Sequence, residues 1–275
     1  MFLDGGRDSA RLVGDFSVMN IPEFSRCAVL VKLSMSLLVC LLAVVSLWLQ
    51  ADRFTARVPT ILAMDNWLYL LLAWLLLKVV HEFYHGLVCK KYGGYVPRCG
   101  VVLILFSPVA FVEVTSSWRF RSKWQRIYTA AAGMYVELFI AAVAALLWSR
   151  TESGLMSQLC HNLVTMASIS TLLFNGNFLM RFDGYYILSD LLGFQNLYGA
   201  GQQYLRYFRR RYLFGVPAEL PAGSVKRLRF VRVYAWGTLL WRLVFYTGLL
   251  VVSAAMFRGA GIVLAVTAGL CWFLL

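Results

Sequence analysis

Apolar positions in this chain run in long blocks, separated by short polar or basic links. The blocks cover about 28–49, 66–88, 127–148, 159 into the stretch 175–186, 234–256 and 259–275. A helix needs roughly twenty apolar residues to cross a hydrocarbon layer about 30 Å thick, so about six membrane-crossing helices are predicted. One block breaks the pattern. Residues 100–114 are too short for a span, rich in valine and interrupted by Ser107-Pro108. A β-like or re-entrant segment tucked against the helices is predicted there, because unpaired backbone facing lipid is costly.

Composition removes the soluble alternatives. Apolar residues make up 60% of the 275 residues and charged ones 14%, against about 45–50% and about 25% in soluble domains. An aromatic content of 15% also excludes a disordered chain. The predicted fold class is therefore all-α, a polytopic transmembrane helix bundle. The first 27 residues are mixed polar and charged and read as an aqueous tail. No cleavable leader is expected, because the first apolar run starts late and exceeds a signal core. The six cysteines form no Cys-x-x-Cys pair and read as small buried residues.

The net charge of +13 is gathered in the links. Lysine plus arginine number seven in 89–126 and nine in 181–232, against two in 50–65 and one in 149–158. With six crossings and a cytoplasmic N-terminus, both basic links lie on the cytoplasmic side. Anionic lipid headgroups account for this placement better than nucleic acid does, and no nucleic-acid partner is expected. Tyr204, Phe208 and Tyr212 repeat every four residues beside arginines, which predicts a helix lying in the headgroup plane.

The candidate chemistry sits in the second block, at His81-Glu82-Phe83-Tyr84-His85. On a helix, residues four apart differ by about 40° around the axis, so both imidazoles can grip one metal ion. Glu82 stands beside them as a general base. Zinc suits nitrogen and carboxylate ligands, and a catalytic site keeps a position open for water. Ionisable groups inside an apolar helix are a functional hypothesis by default. A third ligand is needed. Asp183 ends the fourth block at the same predicted membrane face, whereas His161 begins that block about 25–30 Å away, so the geometry favours Asp183. Glu137, in the middle of the third block, either pairs with Lys78 or Arg181 or lines a water path. Glu113 is similarly open, and Cys89 with Cys99 is a weak second candidate for metal.

These residues resemble the site-2 protease family of intramembrane zinc metalloproteases, most closely its bacterial branch of peptide zinc metalloproteases associated with peptide export. The resemblance rests on His81 to Gly86, on Ala131 to Glu137 and on Arg181 to Asp190, and covers about 66–195. It implies zinc bound by His81, His85 and Asp183, Glu82 as general base, and Asn177 as a substrate-binding residue. Phe178 stands where the family usually carries a proline after that asparagine. The last apolar run extends to Leu275, as expected of either a minimal or a truncated version of longer relatives. The implied organisation is a cytoplasmic tail over 1–27, a protease core over 28–195, a basic interfacial segment over 196–232 and a transmembrane hairpin over 233–275. The implied setting is the bacterial inner membrane, with a peptide or membrane protein as substrate and a peptide-export system as a partner. The rival expectation is a non-catalytic metal-binding subunit that scaffolds or escorts an exported peptide. Metal transport ranks last, since no repeated ligand sets or inverted repeats occur.

Overall fold

The computed structural model describes residues 26–61, 63–104, 107–219, 225–257 and 266–267. Residues 1–25 of the expected tail, and all but two residues of the expected sixth span, lie outside these. The chain is mostly helical with one small sheet, and it divides into two compact units. The first comprises the described residues up to Phe178 together with Phe182–Leu191, and the second comprises Leu179–Arg181 with the described residues from Leu192 onward.

In the first unit, α1 (Arg26–Leu49) is followed by the short α2 (Ala51–Thr55), and α3 (Trp67–Lys91) carries the His-Glu-x-x-His motif. The basic pair Lys90 and Lys91 lies in the last turn of α3, where it suits the negative end of the helix dipole. Gly93, at φ 79°, then turns the chain out of the helix, and its neighbour Gly94 donates its N–H back to the Cys89 carbonyl.

Next come the antiparallel strands β1 (Cys99–Ile104) and β2 (Ser107–Val112), paired from Cys99↔Val112 to Ile104↔Ser107. This hairpin is the β-like segment expected near 100–114. A lone hairpin is marginal, and β2 packs against α3. Alternate residues of a strand point their N–H groups to the same edge, so Pro108, Ala110 and Val112 share one. Val112 uses its N–H there to reach Glu82, outside the ladder, and Pro108 has no N–H to leave unpaired.

Helices α4 (Lys123–Arg150) and α5 (Leu155–Ser168) complete the bundle, with α4 packed against α1, α3 and α5. The seam is built from small residues, with Ala43, Ala141, Ala142, Ala144, Ala145 and Ala167 all buried. Small side chains let helix backbones approach closely where lipid supplies no hydrophobic drive between helices. Leu77 and Trp148 fill the remaining space. After α5 the chain passes into a π-helical segment, Ile169–Asn175, and a turn leads to α6 (Asp183–Leu192).

Two helices among the described residues are long and apolar enough to cross a membrane, Met64–Lys91 and Lys123–Arg150. A third is added if Leu33–Leu49 and Ala51–Thr60, bent by 81°, count as one span. This is fewer than the six crossings expected. The fourth apolar block does not continue as one α-helix: it passes into the π segment, and a π-bulge of this kind often marks a functional site.

In the second unit, α7 (Leu197–Phe208) packs against α8 (Val225–Phe257). Tyr204 is buried and Phe208 meets Trp236 edge-on at 5.0 Å, while Tyr212 is exposed. Two of the three residues in the aromatic stripe therefore face the neighbouring helix.

Candidate metal centre

The helical arithmetic of the motif holds. His81 and His85 lie on the buried face of α3, with ring centroids 4.7 Å apart and the rings at 74° to one another. Asp183, the first residue of α6, brings its carboxylate to the same point. His81 Nε2 is 3.0 Å from Asp183 Oδ2 and 3.0 Å from His85 Nε2, and His85 Nε2 is 3.4 Å from Asp183 Oδ2. Two ligands about 2.0–2.1 Å from a zinc ion, at a tetrahedral angle, lie about 3.3 Å apart. All three sides of the triangle match that spacing.

Where the protons sit decides what the triangle can hold. His85 Nδ1 is 2.7 Å from the Thr129 carbonyl oxygen, which can only accept, so Nδ1 carries the hydrogen and Nε2 a lone pair. His81 Nδ1 is 3.1 Å from Glu137 Oε1, with the same consequence. Asp183 Oδ2 is shielded from solvent and receives no hydrogen bond from the described residues. With both rings neutral, three acceptor atoms converge with no hydrogen between them. A single proton would satisfy one pair and leave the third atom repelled, whereas one divalent cation satisfies all three. The residues fit a metal ion, and zinc matches the donor set of two imidazoles and one carboxylate.

The surroundings hold these ligands in place. Glu137 is fully buried on α4. Its Oε1 accepts from Lys78 Nζ at 3.0 Å, from Ser170 Oγ at 3.2 Å and from His81 Nδ1. Its Oε2 accepts from Thr171 Oγ1 at 2.6 Å and from Asn175 Nδ2 at 3.2 Å. Of the two pairings left open by the sequence, Lys78 is the one made. Arg181 instead lies over the Tyr198 ring at 4.5 Å.

Thr129, Gly133 and Glu137 follow one another every four residues, so they form one stripe of α4. Thr129 and Glu137 serve the two histidines, and Gly133 leaves room for one of them. A Cβ at Gly133 would overlap the His81 ring at Nε2. Gly133→Ala is therefore expected to push the His81 ring off its position. Loss of bound metal by atomic absorption, with helical circular dichroism unchanged, is the expected result.

Asp183 is held by a similar close approach. A Cβ on Gly184 would meet the Gly176 carbonyl oxygen at 2.7 Å, so the start of α6 lies directly on the turn after the π segment. Further along α6, Asp190 accepts from Arg126 Nε at 2.7 Å and Tyr186 meets Trp118 edge-on at 5.9 Å.

The other candidates fall elsewhere. Glu82 is not one of the converging atoms. Its Oε2 accepts from the Val112 N–H at 3.1 Å, which ties it to strand β2. Asn177 is buried in the turn after the π segment, its amide 3.4 Å from the Leu173 carbonyl. The asparagine that reaches the cluster is Asn175, with Nδ2 3.5 Å from His81 Nδ1. His161 is buried between Phe54 and Trp148, with Nε2 3.2 Å from the Phe54 carbonyl. Cys89 contacts Ser116 Oγ at 3.4 Å. The His81, His85 and Asp183 group is the one set of three metal-ligating side chains found together among the described residues.

Comparison with known proteins bears on the same region. The family model described as Peptidase family M50 matches residues 69–229, more than half of the chain, and the match includes the whole cluster. Neither a curated protein nor a solved structure matches the chain.

Proposed function

The chain belongs to peptidase family M50, a family of membrane-embedded metallopeptidases, and from that membership we propose that it is an intramembrane zinc metallopeptidase. Its substrate in this reading is a membrane-embedded or exported peptide, cut near the cytoplasmic face. The observation that carries the reading is the convergence of His81 Nε2, His85 Nε2 and Asp183 Oδ2, with Glu82 on the adjoining position of the same helix.

His81, His85 and Asp183 are the residues that would hold zinc. When bound, the ion supplies Lewis-acid polarisation of a peptide carbonyl and acidifies the hydrolytic water. Glu82 takes a proton from the attacking water and passes it to the leaving amine. Burial of the two histidines keeps bulk water away from the reacting groups.

A helical substrate hides its carbonyls in its own hydrogen bonds. In this reading a substrate segment unwinds and pairs as a strand along the β1–β2 hairpin, and Val112, bonded to Glu82, links that strand to the base. Asn177 contributes hydrogen bonds to the substrate backbone. The setting proposed is the bacterial inner membrane, with the N-terminus cytoplasmic and a peptide-export system as partner.

Detergent-purified protein incubated with candidate exported peptides tests the proposal. Cleavage that stops on chelation and returns with added Zn²⁺ is the expected result. Cleavage indifferent to chelation would contradict it.

A further inference from the structure

We propose that Glu137 is a positioning residue for the metal site, fixing the relation between the two chain segments that supply its ligands; this rests on the zinc reading of His81 given above. A buried carboxylate in an apolar helix is costly, and it needs a counter-charge together with hydrogen bonds to its remaining lone pairs. The structure shows more than a pair. One carboxylate on α4 collects five donors from two other elements: Lys78 and His81 from α3, and Ser170, Thr171 and Asn175 from the π segment.

Most of these contacts bear on a ligand. Accepting from His81 Nδ1 fixes that ring's tautomer and aims the Nε2 lone pair at the site, as outer-shell carboxylates do for metal-bound histidines. The bonds to Thr171 and Asn175 hold the end of the π segment. Gly176 follows at once, and Gly184 rests on the Gly176 carbonyl, so Asp183 is placed by the same anchor. Glu137 therefore sets the position of a ligand on α3 directly and that of a ligand on α6 through one turn of chain. Lys78 has a different task. Its Nζ bonds Glu137 and Ser170 but neither histidine, so it balances the charge of Glu137 without aiming a ligand.

This division of labour separates positioning from a simple structural ion pair. Three variants of the full-length protein, Glu137→Gln, Lys78→Met and the double variant, are compared for thermal stability, for Zn²⁺ affinity by chelator competition, and for visible absorption of the Co²⁺-substituted form. An amide in place of the Glu137 carboxylate either accepts more weakly from His81 Nδ1 or turns its own N–H towards that nitrogen. Glu137→Gln should lose about 10- to 100-fold in Zn²⁺ affinity and shift the Co²⁺ bands. Lys78→Met should lose stability but less metal affinity than Glu137→Gln. The double variant, free of any stranded buried charge, should recover stability while its affinity stays low; this variant carries the test if Glu137→Gln fails to fold. Recovery of affinity together with stability in the double variant, or wild-type affinity in Glu137→Gln, would overturn the proposal. A wild-type protein that binds no metal would overturn the zinc reading itself, and this inference with it.

Discussion

Replacing Glu82 with glutamine is expected to leave the protein folded and loaded with metal while lowering peptide hydrolysis by about 10²–10⁴-fold, the usual contribution of a general base. The structure explains why the two effects separate. Glu82 is outside the converging triad, so metal binding does not depend on its charge. Its hydrogen bond is to the Val112 N–H, and the amide oxygen of glutamine accepts that bond as well. What glutamine cannot do is take up a proton. Initial rates of peptide cleavage, measured alongside zinc content on the same samples, make the check. The rival reading, a non-catalytic subunit that escorts an exported peptide, predicts the opposite: Glu82→Gln would leave its function intact.

The second large effect is expected at Asp183. Asp183→Ala should lower zinc affinity by more than about 10- to 100-fold, the cost of losing an outer-shell partner, and turnover should disappear with the metal. The carboxylate also lies in the first turn of α6, where an acidic group favours the helix by about 0.3–1 kcal/mol. Part of any loss in stability comes from that source. Asp183→Asn keeps the size of the side chain with a far weaker ligand, so it removes the ligand and the helix-start charge without opening a cavity. His161→Ala is the matched control. His161 is committed to the Phe54 carbonyl and to the Phe54 ring, centroids 4.4 Å apart, so its loss should leave zinc occupancy unchanged. Zinc retained at full affinity in Asp183→Asn and lost in His161→Ala would reverse the assignment.

The parts of this site that follow from local periodicity were legible in the sequence. His81 and His85 share a face because four residues make slightly more than one helical turn. Asp183 was reachable through the stretch Arg181 to Asp190 that carries the family resemblance, whereas the membrane-face argument assumes six crossings, of which the described residues show two or three. The hairpin was legible by length, since the block at 100–114 cannot span a bilayer. The supporting shell was not. Which cation meets Glu137 depends on how α4 is rotated against α3, and hydropathy carries no information on that rotation. The π segment is another such case: it adds a residue to the turn, so Asn175, not Asn177, faces His81. Yet a signal was present. The stripe Thr129, Gly133, Glu137 sets a gap and an acid one turn apart on α4, and Lys78, His81 and His85 form the facing stripe at three- and four-residue spacing on α3. Read together, two such stripes specify an antiparallel seam with a polar centre. Of the six crossings expected, the described residues show two, or three if the bent pair counts as one. The block at 159–186 satisfies an apolar count, but it passes into the π segment and the turn that carry Asn175 and Asp183 to the site.

X-ray absorption at the zinc edge of the protein as purified tests whether His81, His85 and Asp183 share one ion, because it counts and identifies the atoms around the ion without reference to activity. One zinc per chain is expected, with two imidazole nitrogens and at least one oxygen at about 2.0–2.1 Å, and with loss of that signal in Asp183→Ala. Sulfur neighbours at about 2.3 Å, or a zinc environment unaltered by Asp183→Ala, would contradict it.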